Sequence, residues 1–397
     1  VEQMARETAA SFGFREVRFP TFEYTELFER GMGDTTDVVQ KEMYTFLDKG
    51  ERSITLRPEG TASVARVCLE HGLFGGLLPL KLFYLISAFR YEKPQAGRFR
   101  EFHQFGAELY GSASPVADKE VIELAGSFLQ KLQIKDAVLH INSIGCPECR
   151  KTYHDALRTY FESRSVDLCG TCQDRLKRNP MRILDCKSPV CKEIASSAPL
   201  ILDYICNDCR EHFESLKQGL TQDGIVFQVE PRIVRGLDYY TRTVFEFTDP
   251  QSGLALAGGG RYDGLVRELD PKMQICGLGF AAGIERLISV LEQNGKFVPS
   301  AGPDLYLASM GEAAVRFCGA LAMRCRAAGW KTETDLMGRS LKAQMKYADK
   351  LNAAFTVVVG EDEIASGMLV LRNMRDGTRT EVKAEELPVR LKELLVE

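Results

Sequence analysis

The stretch FRYEKPQAGRFREFHQFGAELYG, Phe89–Gly111, decides how this chain folds. Aromatic and apolar runs, Leu80 to Tyr91 and Phe99 to Tyr110, flank EKPQAGR, where Pro94 and Gly97 favour a loop. The reading is a long β-hairpin with a basic tip. Arg90 and Glu92 come before the tip, Arg98 and Arg100 surround it, and Phe102, Gln104 and Glu108 follow it. Their even spacing puts those last three on one face of a strand. A charged face that is merely wet would give the same pattern, and the hairpin taken alone favours that plainer reading.

Before the hairpin, apolar residues from Val1 to Phe12 recur at helical spacing, and the short strand Glu16 to Phe19 is stopped by Pro20. After it comes a helix from Val116 to Leu132. Strand patterns return at Ile225 to Val229, Thr243 to Phe247 and Leu254 to Ala257, and GLGFAAGIERLISVLEQ reads as a strand passing into a helix. Helices and neighbouring strands without strict βαβ alternation predict an α+β fold, a mainly antiparallel sheet flanked by helices. The segment NGKFVPSAGP, Asn294 to Pro303, has the composition of a linker. Beyond it, DLYLAS, a helix from Glu312 to Ala328, KTETDL, a helix from Ser340 to Asn352 and FTVVVG alternate as a small α/β unit.

The 397 residues exceed the usual size of one core, and 45% hydrophobic with 27% charged residues is an ordinary globular composition. No apolar run is long enough to span a bilayer and none resembles a signal peptide, so a cytoplasmic location is expected. A net charge of −4 excludes a protein coated in positive charge but leaves room for a local nucleic-acid surface. Eight of the twelve cysteines fall in CPEC, CGTC, CKSPVC and CNDC: Cys146, Cys149, Cys169, Cys172, Cys186, Cys191, Cys206 and Cys209. In a long intracellular chain such pairs point to metal or redox chemistry before disulfides. Four thiolates complete a tetrahedral zinc shell, so eight could hold one or two structural ions; reduced buried thiols are the alternative. The segment containing them, residues 146–218, reads as an insertion between two parts of a catalytic domain, 1–145 and 219–298, followed by a carboxy-terminal unit at 304–397.

Three further stretches carry chemistry. TLRPEGT, Thr55 to Thr61, sets Glu59 and Thr61 on a rigid turn; RGLDYY, Arg235 to Tyr240, places a cation, an acid and two phenols ahead of a strand. LAGGGRYDGL, Leu256 to Leu265, has three glycines that admit another backbone or a ligand, although a plain glycine bulge reads equally well.

Together these residues resemble a known family. The strand ending near Pro20, the FRYE and RFREF hairpin and the helix that begins GIER resemble the three motifs of class II aminoacyl-tRNA synthetases, while RGLDYY and AGGGRYDGL are similar to the two motifs peculiar to the histidyl-tRNA synthetase family. The resemblance runs from near residue 1 to the end. It implies a class II catalytic domain, a carboxy-terminal α/β anticodon-binding domain, a homodimer, ATP with Mg²⁺, L-histidine and histidine tRNA. It places Glu59, Thr61 and Gln104 on the histidine ammonium, Glu108 and Tyr240 on the imidazole, and Tyr262 as the closure of the pocket. Arg90 and Arg235 are implied to flank the α-phosphate, Arg98 and Arg286 to face the outer phosphates or the adenine, Phe102 to stack on the ring and Glu92 to read its amino group. Gln95, at the hairpin tip, is implied to meet the extra guanosine of the tRNA. A regulatory paralogue that partners an ATP phosphoribosyltransferase is the competing expectation; it typically lacks the anticodon unit and loses catalytic arginines.

Overall fold

The structure, a computed structural model, describes residues 1–33, 36, 38–93, 97–233, 235–296 and 302–395. The chain forms two compact units divided after Lys296.

In the first unit the hairpin is the spine. Strands Leu80–Phe89 and Glu101–Tyr110 pair antiparallel from Leu80 opposite Tyr110 to Phe89 opposite Glu101. They sit inside an eight-stranded sheet whose order is Arg15–Glu16, Leu80–Phe89, Glu101–Tyr110, Gly277–Gly283, Ala255–Arg261, Thr241–Thr248, Val138–Ser143, Gln228–Val229. The six central strands are antiparallel to their neighbours, and the two short edge strands pair parallel. Strand alternation then divides the residues of Glu101–Tyr110. Phe105, Ala107 and Leu109 go into an apolar layer with Phe245 and Phe280 of neighbouring strands and with Phe128 and Leu216, supplied by helices Pro115–Lys131 and Asn207–Gln222. Phe102, Gln104, Gly106 and Glu108 are left for the opposite face, by the period of two. Each fully buried aromatic in that layer contributes about 2 kcal/mol by area.

The strand expected from Glu16 to Phe19 is shorter, Arg15–Glu16. Beyond it the chain is held by side-chain hydrogen bonds: Arg57 Nη1 donates to the carbonyls of Phe19 (2.9 Å) and Pro20 (3.1 Å). Proline offers no amide to a ladder, so pairing cannot continue through Pro20, but the strand ends earlier, at Glu16. A three-stranded sheet, Phe22–Tyr24, Ser53–Leu56 and Thr45–Leu47, was not anticipated from the sequence, because such short strands carry little periodicity.

The cysteine-rich segment is helical. Its apolar residues Tyr153, Leu157, Phe161, Leu176 and Ile183 belong to one cluster with Tyr84, Tyr110, Tyr240 and Tyr262 of the sheet's other face. The boundary expected at residue 218 falls inside helix Asn207–Gln222, whose Phe213, Leu216 and Leu220 join the core of the catalytic unit. Helical periodicity runs through that point, so composition alone misplaced the edge.

The second unit has a five-stranded sheet in the order Thr332–Thr334, Leu305–Ser309, Phe355–Val359, Met368–Asn373, Arg379–Lys383. The first three are parallel, as the alternation of helices and strands requires, and the last two form an antiparallel hairpin at the edge. Cys318 and Cys325 are buried in its core. Among the described residues no helix is long and apolar enough to cross a membrane.

Candidate active site

On the sheet face left free by the apolar layer lies a cavity of about 180 Å³. Its walls include Arg90, Glu92, Arg98, Phe102, Arg235 and Arg286 together with Glu59, Thr61, Tyr84, Gln104, Tyr239 and Tyr240. Segments far apart in the chain thus meet in one place.

The four arginines are half-buried, and each is aimed by a hydrogen bond or ion pair. Arg90 Nε donates to the Pro58 carbonyl at 2.9 Å, and its guanidinium lies 5.4 Å from the centre of the Phe102 ring. Arg98 pairs with Glu92 at 3.0 Å. Arg286 donates to the carbonyls of Gly97 (3.2 Å) and Ala255 (2.9 Å). Burial first, and then the nearby Arg98, lowers the pKa of Arg286 from its ordinary value, as expected where cations crowd. Arg235 pairs with Glu246, which stands opposite Gly258 across the sheet. A Cβ at Gly258 would lie 2.7 Å from Arg235 Nη2, so the absent side chain makes the space the guanidinium occupies.

The carboxylates of Glu59 and Glu108 are dry. Glu59 accepts from the amides of Thr61 (2.7 Å) and Ala62 (2.8 Å) at the first turn of helix Thr61–Glu70, where a negative group is favoured. Burial nonetheless raises its pKa above the ordinary value. Glu108 has no exposed surface. It accepts from Thr61 Oγ1 at 2.7 Å and Tyr84 Oη at 3.1 Å, and Tyr262 Oη donates to its other oxygen. Burial pushes its pKa up to about 8, against the lowering effect of these hydroxyls. A Cβ at Gly279 would stand 2.0 Å from Glu108 Oε2, so only glycine leaves room for this carboxyl.

Glu108 and Tyr262, expected on the ligand, are not on the cavity surface. They lie behind it, and Thr61 and Tyr84 connect Glu108 to the void. Gln95 falls outside the described residues. Every other residue expected at the ligand lines the cavity. Sequence reasoning missed Tyr84, Glu246 and Glu285: Tyr84 sits in an aromatic strand that reads as core, and the pairing of Glu246 with Arg235 depends on packing. Glu285 lines the cavity too and accepts from the His103 amide at 2.9 Å.

Two atoms ask for a ligand. Gln104 Oε1 and Arg235 Nε are buried without a hydrogen-bond partner among the described residues, a state that costs about 1–3 kcal/mol per group unless something completes it. Cations and buried acceptors on one cavity wall suit an anion joined to a small polar group.

An antiparallel sheet bearing arginines from its hairpin and from the helix after its glycine-rich strand defines a class II aminoacyl-tRNA synthetase. A model described as histidyl-tRNA synthetase matches residues 1–150 and 192–287, and one described as an anticodon binding domain matches 304–394. The chain is 53% identical to a histidine-tRNA ligase of Caldicellulosiruptor bescii, over 100% of this chain and 94% of the relative. It is 50% identical to a protein of the same name from Acetivibrio thermocellus, covering 99% and 94%. The apo histidyl-tRNA synthetase of S. aureus superposes with a TM-score of 0.81 at 37% identity, covering 98% of this chain and 94% of that one. The chain belongs to the histidyl-tRNA synthetase family. With its anticodon-binding match and its four arginines in place, the regulatory-paralogue expectation is set aside.

Proposed function

We propose that the chain activates L-histidine with ATP and transfers the histidyl group to the 3′ end of histidine tRNA. A histidine carboxylate oxygen attacks the α-phosphorus, the bond to the bridging oxygen of the β-phosphate breaks, and pyrophosphate leaves. The terminal ribose hydroxyl of the tRNA then attacks the acyl carbon of histidyl-adenylate and AMP departs. The observation that carries this reading is the cavity itself, lined by four guanidiniums together with a dry carboxyl and phenols.

Charge on the phosphate oxygens develops in the transition state, so fixed cations supply the larger share of the rate. Arg90 and Arg235 flank the α-phosphate. Arg98 and Arg286 face the outer phosphates or the adenine, Phe102 stacks on the ring and Glu92 accepts from its amino group. Mg²⁺ would accompany ATP and neutralise phosphate charge, and Glu285, which lines the cavity, would offer it a carboxylate oxygen. Glu59, Thr61 and Gln104 hold the ammonium. Tyr240, with Glu108 acting through the Thr61 and Tyr84 hydroxyls, takes the imidazole, and Tyr262 fixes Glu108 from behind. An amino acid without ring nitrogens would strand these groups, which discriminates more strongly than an apolar misfit.

Gln95 contacts the acceptor end of the tRNA, and residues 304–397 read the anticodon, with exposed Lys342 and Lys346 at i, i+4 on helix Leu341–Lys350 meeting its phosphates. The enzyme acts as a cytoplasmic homodimer, with structural zinc in its cysteine-rich insertion; family resemblance and the thiol pattern support these points. Pyrophosphate exchange with histidine, threonine and proline tests the whole: histidine alone should support exchange, and equal rates with threonine would refute the imidazole site.

A further inference from the structure

The fold sorts the eight cysteines into two sets. Cys146, Cys149, Cys206 and Cys209 bring their sulfurs within 4.8 Å of one another, and so, separately, do Cys169, Cys172, Cys186 and Cys191. Tetrahedral zinc with Zn–S of about 2.3 Å holds its sulfurs about 3.8 Å apart. The measured separations are 3.5 Å for Cys146 and Cys149, 4.0 Å for Cys149 and Cys209, and 3.9 Å for Cys169 and Cys186. A disulfide needs about 2.05 Å, and every cysteine is unbonded.

Three further features separate these sulfurs from packing thiols. Cys146, Cys169 and Cys206 each begin a helix, Pro147–Glu162, Gly170–Arg178 and Asn207–Gln222, where the helix dipole favours a thiolate. Backbone amides donate to sulfur, from Cys206 to Cys149 (3.1 Å), from Cys169 to Cys191 (3.2 Å) and from Ser188 to Cys186 (3.5 Å), the outer shell that orients metal thiolates. Finally, each set reaches the surface, through exposed Cys206 and half-buried Cys146 in one and half-buried Cys169 and Cys186 in the other, while Cys149, Cys172, Cys191 and Cys209 are as buried as the core thiols Cys68, Cys318 and Cys325.

The two sites have different neighbours. The first joins the stems of the insertion just after strand Val138–Ser143, beside Gly145, whose carbonyl accepts from the Arg242 amide at 2.8 Å. The second brackets the turn Pro180–Ile183, between Cys172 and Cys186. From that turn Arg182 Nη1 donates to the Arg235 carbonyl at 2.9 Å, and just ahead of it Asn179 Nδ2 donates to Asp238 Oδ1 at 3.2 Å. Those bonds fasten the backbone that carries the α-phosphate arginine. Arg182 is 6% exposed, so its contact is shielded from water.

We propose that the insertion binds two zinc ions, one in each four-cysteine set, and that the second ion positions Arg235 through Arg182. The inference rests on the zinc and Arg235 roles of the proposed function and adds the count, the partition and the coupling. Loop closure explains the coupling: an ion ties Cys172 to Cys186 and closes the 13 residues between them, and without it the turn relies on its packing and on hydrogen bonds such as those of Arg182 and Asn179 to keep its register.

Full-length protein purified without chelator should contain two zinc ions per chain, and replacement by Co²⁺ should give the intense visible bands of tetrahedral cobalt thiolate at both sites. Cys169→Ser with Cys172→Ser should retain one ion and lower kcat for pyrophosphate exchange about tenfold, with KM for histidine within about twofold. Arg182→Gln should keep both ions and show the same fall in kcat. One ion or none in the unaltered chain, or two in the double cysteine variant, overturns the partition. Wild-type kcat in Arg182→Gln overturns the coupling, and that arm decides even if the cysteine variant does not fold. Loss of exchange in Arg235→Gln is read separately, so a failure of the Arg235 role is distinguishable from a failure of the zinc sites.

Discussion

On the cavity wall Arg90, Arg98, Arg235 and Arg286 keep part of their surface in water, and Arg98 and Arg235 each have a carboxylate beside them. Behind the wall Glu108 has no water at all and is surrounded by three hydroxyls. The difference is one of when charge is needed. Guanidiniums stay charged under all ordinary conditions, so they can stand ready for charge that grows on phosphate. A carboxyl taken out of water keeps its proton instead, and its value lies in fixing the direction of neighbouring hydroxyls. On the proposed reading, the arginine end of this contrast serves rate and the carboxyl end serves choice of substrate.

Breaking the first end should give the largest effect. Arg235→Gln is expected to lower kcat for pyrophosphate exchange by about 10² to 10³ with KM for histidine little changed, because the lost interaction belongs to the transition state. Steady-state exchange kinetics check this; an equal rise in KM would move Arg235 to ground-state binding.

Breaking the second end should act on selectivity. Glu108→Gln cannot accept from all three hydroxyls as a carboxyl does, and kcat/KM for histidine should fall by about 10- to 100-fold, mostly through KM. The same variant exposes a pH effect. Folded Glu108 keeps its proton up to about pH 8, whereas its ordinary value is 4.5. The native state therefore binds more protons than the unfolded chain within that window, and the contribution of this group is full below pH 4.5 and lost as pH rises through 8. Denaturant unfolding at several pH values should show a slope of about 1 kcal/mol per pH unit, which Glu108→Gln removes.

A subtler change sharpens the contrast without touching a charged residue. Gly258→Ala would push against the tip of the Arg235 side chain, a flexible group that can swing aside. We expect kcat down by about tenfold with unfolding midpoints near wild type, since the cost falls on aim rather than on packing. A strong loss of stability instead would mean that the strand, not the arginine, had moved.

Smallest of all should be Lys342→Ala with Lys346→Ala. Pyrophosphate exchange should be unchanged and KM for tRNA raised by about two- to threefold, with a shallower salt dependence of aminoacylation. An effect on exchange would contradict a role confined to tRNA.

Much of this was legible in the chain. Period-two alternation and the Pro94 and Gly97 loop defined the hairpin, and helix Pro115–Lys131 followed from Val121, Leu124, Ala125 and Phe128 on one face. Short elements escaped, among them the edge hairpin Met368–Asn373 and Arg379–Lys383, because a few alternating residues look like any loop beside a strand. Within the site, residue types were readable but depth was not. Gln104 and Glu108 share a face by spacing, yet one reaches the void and the other lies beneath Tyr84 and Thr61, a distinction that depends on which rings pack over the strand.

By itself, then, the sequence determined the local matters: where strands alternate, where proline ends them, and where thiols come in pairs close enough to share a metal. Backbone geometry dictates these over a few residues, so they are written in order along the chain. The tertiary structure alone decided which pair of thiols meets which, that Glu246 faces Arg235, and that Glu108 is dry enough to hold its proton. Those outcomes depend on exclusion of water and on close packing between distant segments, which no local pattern encodes.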